Sequence, residues 1–296
     1  MSDVYAENLQ RDAEESRRLD EQFDLLSENL GYLIHPGILR SLRQSNSSPI
    51  KIADLATGTA RFLRQVAEST DPILANAVLD GSDLSTSQFP APSSLPSNIH
   101  LRVQDVRAPV PREWEGCYDL VHVRQIAAGL APDEWLPVVA NLARLLKPGG
   151  AIQWEECNFS NVVHLRGGEG DGMSCTVGAA RSLGQMFRTG LMTHFCHGWD
   201  RLDTAMAAAG LERIVADMVG SDRVPHTRRA LTLNGMHVIS RWAIAKAQAG
   251  NLRDPAGRLV SLDEVQALAD QAMRDIESGC YVRFDIHAVW GFKPMA

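Results

Sequence analysis

Cysteine, basic runs and long apolar stretches are all scarce in this chain, and each shortage removes a class of function. Five cysteines occur in 296 residues: Cys117, Cys157, Cys175, Cys196 and Cys280. They are odd in number, dispersed, and form no Cys-x-x-Cys pair. That usage suits reduced thiols in the cytosol better than a disulfide framework, so a cytoplasmic location is expected. No Lys/Arg run is present and the formal net charge is -7. Phosphate recognition needs a concentrated basic surface, so nucleic acid is not an expected partner. The isolated pairs Arg17–Arg18 and Arg228–Arg229 are expected on solvated helix faces. No apolar run approaches a bilayer span, and the charged stretch 1–20 has no hydrophobic leader segment, so neither a membrane nor a secretory route is expected. His194-Phe195-Cys196-His197 has metal-ligating residue types but no further spaced Cys/His cluster to complete a site, so no metal is expected.

At 45% apolar and 22% charged residues, the chain admits one large α/β domain or such a domain with a helical cap. Leu9, Leu19, Phe23, Leu26, Leu30 and Leu33 recur at mostly helical steps. They predict an amphipathic helix over 8–33 that packs onto the domain; service as a lid is the sharper reading. A short helix is expected at 38–43 and a polar linker at 44–49. From there, strands at 50–55, 75–79, 99–103, 118–124 and 151–155 alternate with helices at 61–69 and 133–146. This alternation predicts a parallel sheet with helices on both faces. The remainder predicts helices at 174–192, 200–209, 228–249 and 261–278, with strands at 211–219 and 281–292. Ser261 and Glu264 are placed for a capping box, and Gly210 for a helix stop.

The most informative stretch is Ile52-Ala53-Asp54-Leu55-Ala56-Thr57-Gly58-Thr59-Ala60-Arg61, a strand ending in Asp, a small-residue turn and a helix start. Small residues let backbone N–H groups approach a ligand, and a helix N-terminus favours an anion. An ordered set follows. Gly81-Ser82-Asp83-Leu84-Ser85 ends the second strand with a carboxylate able to accept both hydroxyls of a ribose. Gln104-Asp105-Val106 follows the third strand, Tyr118-Asp119-Leu120-Val121-His122-Val123-Arg124 forms the fourth, and Leu146-Lys147-Pro148-Gly149-Gly150 turns into the fifth. Ligands of open α/β sheets bind at the carboxyl ends of strands, where all three acids fall.

In this set the chain resembles the class I S-adenosylmethionine (SAM)-dependent methyltransferase family, and most of all its fungal natural-product branch. The resemblance is close over 50–160 and looser at Gly31-Tyr32-Leu33-Ile34-His35-Pro36 and Trp290-Gly291-Phe292-Lys293-Pro294. It implies a Rossmann-like, mostly parallel seven-stranded sheet with helices on both faces. It further implies a helical cap at 1–46 and a cofactor domain at 47–296, whose insertions at about 160–198 and 222–279 form an acceptor pocket. SAM would be the methyl donor and S-adenosylhomocysteine (SAH) the product, in secondary-metabolite biosynthesis. By the same resemblance, Asp54 would hold the methionine amine through water. Ala56, Thr57 and Gly58 would line the methionine end, Asp83 and Leu84 the ribose, and Asp105 and Val106 the adenine. Arg124 would contact the amino-acid end through its carbonyl. The family pattern Gly-x-Gly-x-Gly has Ala56 and Ala60 at its outer positions here.

Methyl transfer from a sulfonium is an in-line displacement in which positioning supplies most of the rate, so a base is optional and no catalytic residue is assigned. The candidates are Glu156, next to Glu155 after the fifth strand, and His194 and His197 after the inserted helix. His122 is expected to be a satisfied core histidine, and His164, His226 and His287 carry no distinguishing pattern. Met173, Met186, Met192, Met236, Phe187, Phe195 and Trp199 are expected to supply acceptor surface or core. Gly167-Gly168-Glu169-Gly170-Asp171-Gly172 lacks the Gly-Lys-Ser/Thr ending of a phosphate loop, is acidic, and is expected to be a loop or lid hinge. The expected partner is a small-molecule acceptor, and a homodimer is the assembly considered. Three alternatives stand beside this reading. One is a methyltransferase-like protein that binds SAM without transferring its methyl, as in a pericyclic reaction. Another is an NAD-dependent oxidoreductase, whose Gly-x-Gly-x-x-Gly motif the first turn does not supply. The weakest is a protein methyltransferase.

Overall fold

The computed structural model describes residues 12–45, 49–167, 175–192 and 198–295. Two helices precede the sheet, α1 (Ala13–Leu30) and α2 (Pro36–Gln44). Asp12 caps α1 by accepting from the Glu15 amide, and Gly31, at φ 88°, ends it in the left-handed conformation that suits glycine. There follow β1 (Lys51–Leu55), α3 (Arg61–Ala67), α4 (Pro72–Ala75), β2 (Val78–Asp83), β3 (Ile99–Val103), β4 (Tyr118–Arg124) and α5 (Trp135–Leu145). The strand expected at 75–79 is shifted to Val78–Asp83, because Asp71 and Pro72 start a helical turn that holds Ala75.

The second half contains β5 (Leu146–Arg166), α6 (Gly178–Gly190), α7 (Leu202–Ala208), β6 (Glu212–Gly220), α8 (Thr227–Gln248), α9 (Leu262–Glu277) and β7 (Cys280–Phe292). The capping box at Ser261 and Glu264 is present on α9. β5 is far longer than the expected 151–155. It pairs with β7 from Ala151↔Phe292 to Asn158↔Asp285, shifts register, and continues from Val163↔Arg283 to Arg166↔Cys280. The region expected to open a helical insertion near 160 is therefore still strand. A partner strand satisfies its backbone groups where sequence periodicity alone gave no cue.

The seven strands form one sheet of order β3-β2-β1-β4-β5-β7-β6. β1 to β5 are mutually parallel, and β7 runs antiparallel to both β5 and β6. This is the sheet of the class I methyltransferase fold. Alternation along the strands divides the core. Ile52 and Leu120 join Ile38 of α2 and Phe62 of α3 on one face, while Val121, Val123 and Trp154 join Val138 of α5 and Met206 of α7 on the other. A third cluster ties α6, α8 and α9 through Leu183, Met236 and Ile276. A fourth seats Leu26 and Leu30 of α1 against Phe284 and Ile286 of β7. Strand order reverses between β1 and β4, so a crevice opens at their carboxyl ends. Among the described residues, no helix is long and apolar enough to cross a membrane.

Candidate active site

The turn between β1 and α3 is wound tightly. Ala56, Gly58 and Ala60 have φ of 57°, 51° and 56°, all in the left-handed region. A methyl group there costs roughly 1–2 kcal/mol per residue, so two of these three positions are occupied against their local preference. Tertiary hydrogen bonds hold the turn. The Thr57 amide donates to the Ser82 carbonyl at 2.9 Å, the Gly58 amide to Asp83 Oδ2 at 2.9 Å, and Thr57 Oγ1 to Asp54 Oδ2 at 2.5 Å. Asp83 is thereby fixed to the turn it faces.

Below the turn runs a buried chain of charges. His122 Nδ1 donates to Asp54 Oδ1 at 2.7 Å, and its ring lies flat on Phe62 with centroids 3.7 Å apart. Burial opposes a charge on His122, but Asp54 and Glu155 outweigh it and raise the imidazole above its ordinary range. Burial likewise opposes the Glu155 charge, yet Arg124 and His122 hold that carboxyl down at about 2. Arg124 Nε donates to Glu155, while Arg124 Nη1 donates to the Phe23 carbonyl at 3.1 Å and to Ser27 Oγ at 2.9 Å, both on α1. Its guanidinium carbon lies 3.9 Å over the Phe23 ring. The next residue, Glu156, has a different fate. Burial pushes its carboxyl up to about 7, against hydrogen bonds donated to Oε1 at 2.9 Å by both Trp154 Nε1 and the Ile126 amide.

These groups border one cavity of about 370 Å³, within the range of small-molecule sites. Asp54, Ala56, Thr57 and Gly58 line it from β1 and its turn, Asp83 and Leu84 from the end of β2, Asp105 and Val106 from beyond β3, and Arg124 from β4. Glu156 lines it from β5. The structure thus gathers the sequence-derived cofactor residues and one of the three base candidates around one space; His194 and His197 lie outside the described residues.

Several details differ from expectation. Asp105 is ion-paired with Arg107, whose Nη2 donates to Oδ2 at 2.8 Å. Both Asp54 oxygens are engaged within the protein, by Thr57 and His122. Arg124 presents its guanidinium as well as its backbone, because Phe23 and Ser27 of α1 hold the side chain over the crevice. His122 is hydrogen-bonded only on Nδ1; its Nε2 lies 3.7 Å from Glu155 Oε2, an ion-pair distance too long for a hydrogen bond. Arg18, expected on a solvated face, is 8% exposed and lines the cavity, since Glu15 and Asn234 neutralise and bind it. Of the expected acceptor residues, Phe187 and Met236 line the cavity. Met186 is core, Met192 is exposed, and Trp199 lies against His287. Met173, Phe195 and residues 168–172 of the glycine-rich loop lie outside the described residues.

Three buried donors on the cavity wall have no hydrogen-bond partner: Arg124 Nη2, His122 Nε2 and Gln88 Nε2. Native proteins pair nearly all such groups, so their clustering marks a place for a ligand's acceptors. Gln88 was not foreseen. It sits in a Ser/Pro-rich loop without periodicity, and its only sequence cue is its position shortly after Asp83-Leu84-Ser85.

The chain is similar in sequence to fungal methyltransferases over about half its length. The chain is 40% identical to the methyltransferase grgD of a Penicillium species over 149 residues, 48% of this chain and 49% of that protein. It is 37% identical to the N-methyltransferase sirN of Leptosphaeria maculans over 145 residues, 49% of this chain and 47% of that protein. The chain spans about half the length of these relatives. A solved structure of a methyltransferase-like protein from Bacillus halodurans superposes with a TM-score of 0.47 at 13% identity, covering 87% of this chain and 99% of that one. No protein-family model matches the chain. The class I methyltransferase fold rests on strand order, and the relationship to fungal methyltransferases rests on sequence.

Proposed function

We propose that this chain transfers the methyl group of SAM to an oxygen or nitrogen of a small natural-product acceptor. One observation carries the reading: strand-end carboxylates and unpaired buried donors surround a single cavity at the switch point of the sheet. The donor set fits the cofactor. Arg124 Nη2 suits the methionine carboxylate, Asp83 suits the ribose hydroxyls, and Gln88, Asp105 and Val106 suit adenine. Asp54 then acts through others, holding Thr57 and His122 in place. Its contact with the methionine amine, if made, passes through water.

SAM, when bound, supplies an electrophilic methyl on a sulfonium. The protein must align a nucleophile about 3–3.5 Å from that carbon and keep water away. Phe23 and Leu19 of α1 cover the cavity on one side, which serves exclusion. Glu156 is the proposed base: it borders the cavity, and a carboxyl near neutrality can take the proton of an O–H or N–H acceptor as the methyl arrives.

The test is calorimetric titration of the SAH-stripped protein with SAM and with SAH. Micromolar binding of both is expected, with Asp83→Ala weakening each by about tenfold or more through the loss of charge-assisted hydrogen bonds. A folded protein that binds neither would overturn the reading. Incubation with acceptor candidates then reports transfer through SAH release and a methylated product.

A further inference from the structure

The half of the cavity remote from β1 is lined unevenly. Phe159 and Val162 of β5, Phe187 of α6, Met236 of α8 and Phe284 of β7 give it apolar walls, with the Phe159 and Phe284 rings 5.1 Å apart. Thr232 also lines it, but its hydroxyl is already used: it donates to the Arg228 carbonyl at 2.7 Å and accepts from the Val282 amide at 2.9 Å. Two further polar side chains face this space, His164 of β5 and Arg188 of α6.

His164 is only 8% exposed. Its ring lies against the backbone of Gly184, where a Cβ would sit 3.0 Å from Cε1 and 3.2 Å from Nε2. Burial, reinforced by Arg181 and Arg188, pushes the imidazole down to about 4, so it is neutral at physiological pH. Arg188 is half-buried, and its Nη1 donates to the Ser160 carbonyl at 3.0 Å. It makes no ion pair with any described residue. Asp275, the acid that touches this region, spends its carboxylate on the start of α6, accepting from the Ala179 and Ala180 amides at 2.9 and 3.1 Å. Among the described residues, the apolar walls beside Arg188 carry no carboxylate that pairs with it.

We infer that this end of the cavity is an anion subsite: Arg188 receives a carboxylate or similar negative group borne by an otherwise apolar, ring-containing acceptor. The inference rests on the reading of this cavity as the acceptor's half. A guanidinium kept partly from water without a counter-charge gains strongly from a carboxylate, and its planar fork matches the two oxygens. Arg18 also borders the cavity, but Glu15 accepts from it and neutralises it, whereas Arg188 has no such partner among the described residues and His164 beside it is neutral. The same charge disfavours an acceptor that arrives as an ammonium.

The experiment uses the whole protein and three probes on one indole ring: indole-3-acetate, its isosteric amide indole-3-acetamide, and the amine tryptamine. Each is titrated calorimetrically with and without saturating SAH. The acid is expected to bind roughly tenfold or more tighter than the amide, as a charge-assisted pair provides, with tryptamine weakest. Arg188→Met should reduce the preference to within about threefold. Arg181→Met, which removes an exposed neighbour, should leave it intact. Equal binding of acid and amide, a preference that survives in Arg188→Met, or failure of all three probes to bind would overturn the subsite. SAH affinity of Arg188→Met, measured in the same cell, separates this outcome from failure of the cofactor reading. Normal SAH binding without acid preference sinks only the subsite, and absent SAH binding sinks only the cofactor assignment.

Discussion

Glu155 and Glu156 are consecutive on β5 and equally buried, yet their carboxyls are driven in opposite directions. Adjacent strand residues point to opposite faces of a sheet. Glu155 meets Arg124 and His122 and is held at about 2, while Glu156 meets an indole N–H and backbone amides and rises to about 7. Such divergence between neighbouring carboxyls is how one site acquires a permanently charged group and a proton-exchanging one. Glu156→Gln preserves shape and the Oε1 acceptor but cannot take a proton. Its kcat should fall by about 10²–10⁴-fold with SAH affinity nearly unchanged, and the acid limb of the pH–rate profile near 7 should disappear. A kcat within about twofold of wild type would leave the reaction to positioning alone. The sequence pointed to Glu156 only as one candidate among several. Its distinction from Glu155 depends on Arg124 and His122, more than 30 positions away on β4, which meet Glu155 and which no local pattern encodes.

At the scale of elements, α1 is joined to the cofactor turn by polar contacts as well as apolar ones. Asp20 accepts from Thr59 Oγ1 at 2.5 Å and from Arg64 Nη2 at 2.6 Å. Asp24 accepts from Arg61 through two nitrogens, at 2.8 and 2.7 Å, and from Gln65 at 2.6 Å. Arg61 and Thr59 belong to the turn and helix start that line the cavity, so the hold of α1 on them is expected to set how fast a cofactor is released. Asp24 is 43% exposed on its side chain, which makes each ion pair individually weak and salt-sensitive. The double variant Asp20→Asn/Asp24→Asn should release SAH several-fold faster in stopped-flow dilution while melting within about 3 °C of wild type. Raising the salt should produce part of the same effect in the wild type. Insensitivity of the release rate to both changes would show that α1 is fixed. The apolar stripe made α1 legible as a helix that covers something. Its charged face, by contrast, gave no hint of its partners, because Asp20 and Asp24 look like ordinary solvated acids until α3 is placed beside them. β1, β3 and β4 were legible within a residue, since buried parallel strands are short apolar runs between turn residues. β5 was not, because the polar pair Ser160-Asn161 and the apolar pair Val162-Val163 break the alternation where the register shifts, and its extension comes from pairing with β7.

For the whole molecule, buried carboxyls of opposite shift make stability depend on pH in a defined way. Glu156 has a folded value of about 7 against an ordinary 4.5. Its stabilising protonated form is fully effective below 4.5 and is lost as pH rises through about 7. Glu155, held at about 2, contributes above 4.5 and loses that contribution as pH falls through about 2. Thermal melts of wild type and Glu156→Gln at pH 5 and pH 8 isolate the first effect. The variant should gain on the wild type between the two values, because an amide has no charge to bury. A stability difference that stays constant with pH would mean that Glu156 titrates as an exposed acid does. Fold class was readable from ordered motifs, and so was the gathering of Asp54, Asp83, Asp105 and Arg124 around one cavity, since each lies at or just beyond a strand end. The acceptor half was not, because its walls come from four separated segments whose residues look like ordinary core.

β5 and β7 run side by side from the sheet's centre, where Glu156 stands, out to His164 and Val282, with a single change of register between Asn158 and Val163. On the proposed reading, reaction and selection are mounted on one beam, on either side of a joint. Substitutions beyond that joint can remodel which molecule is admitted while the strand pairing nearer the centre keeps the reacting end in place. On that reading, a descendant of this chain changes its acceptors by substitutions beyond the joint and leaves the pairing around Glu156 as it is.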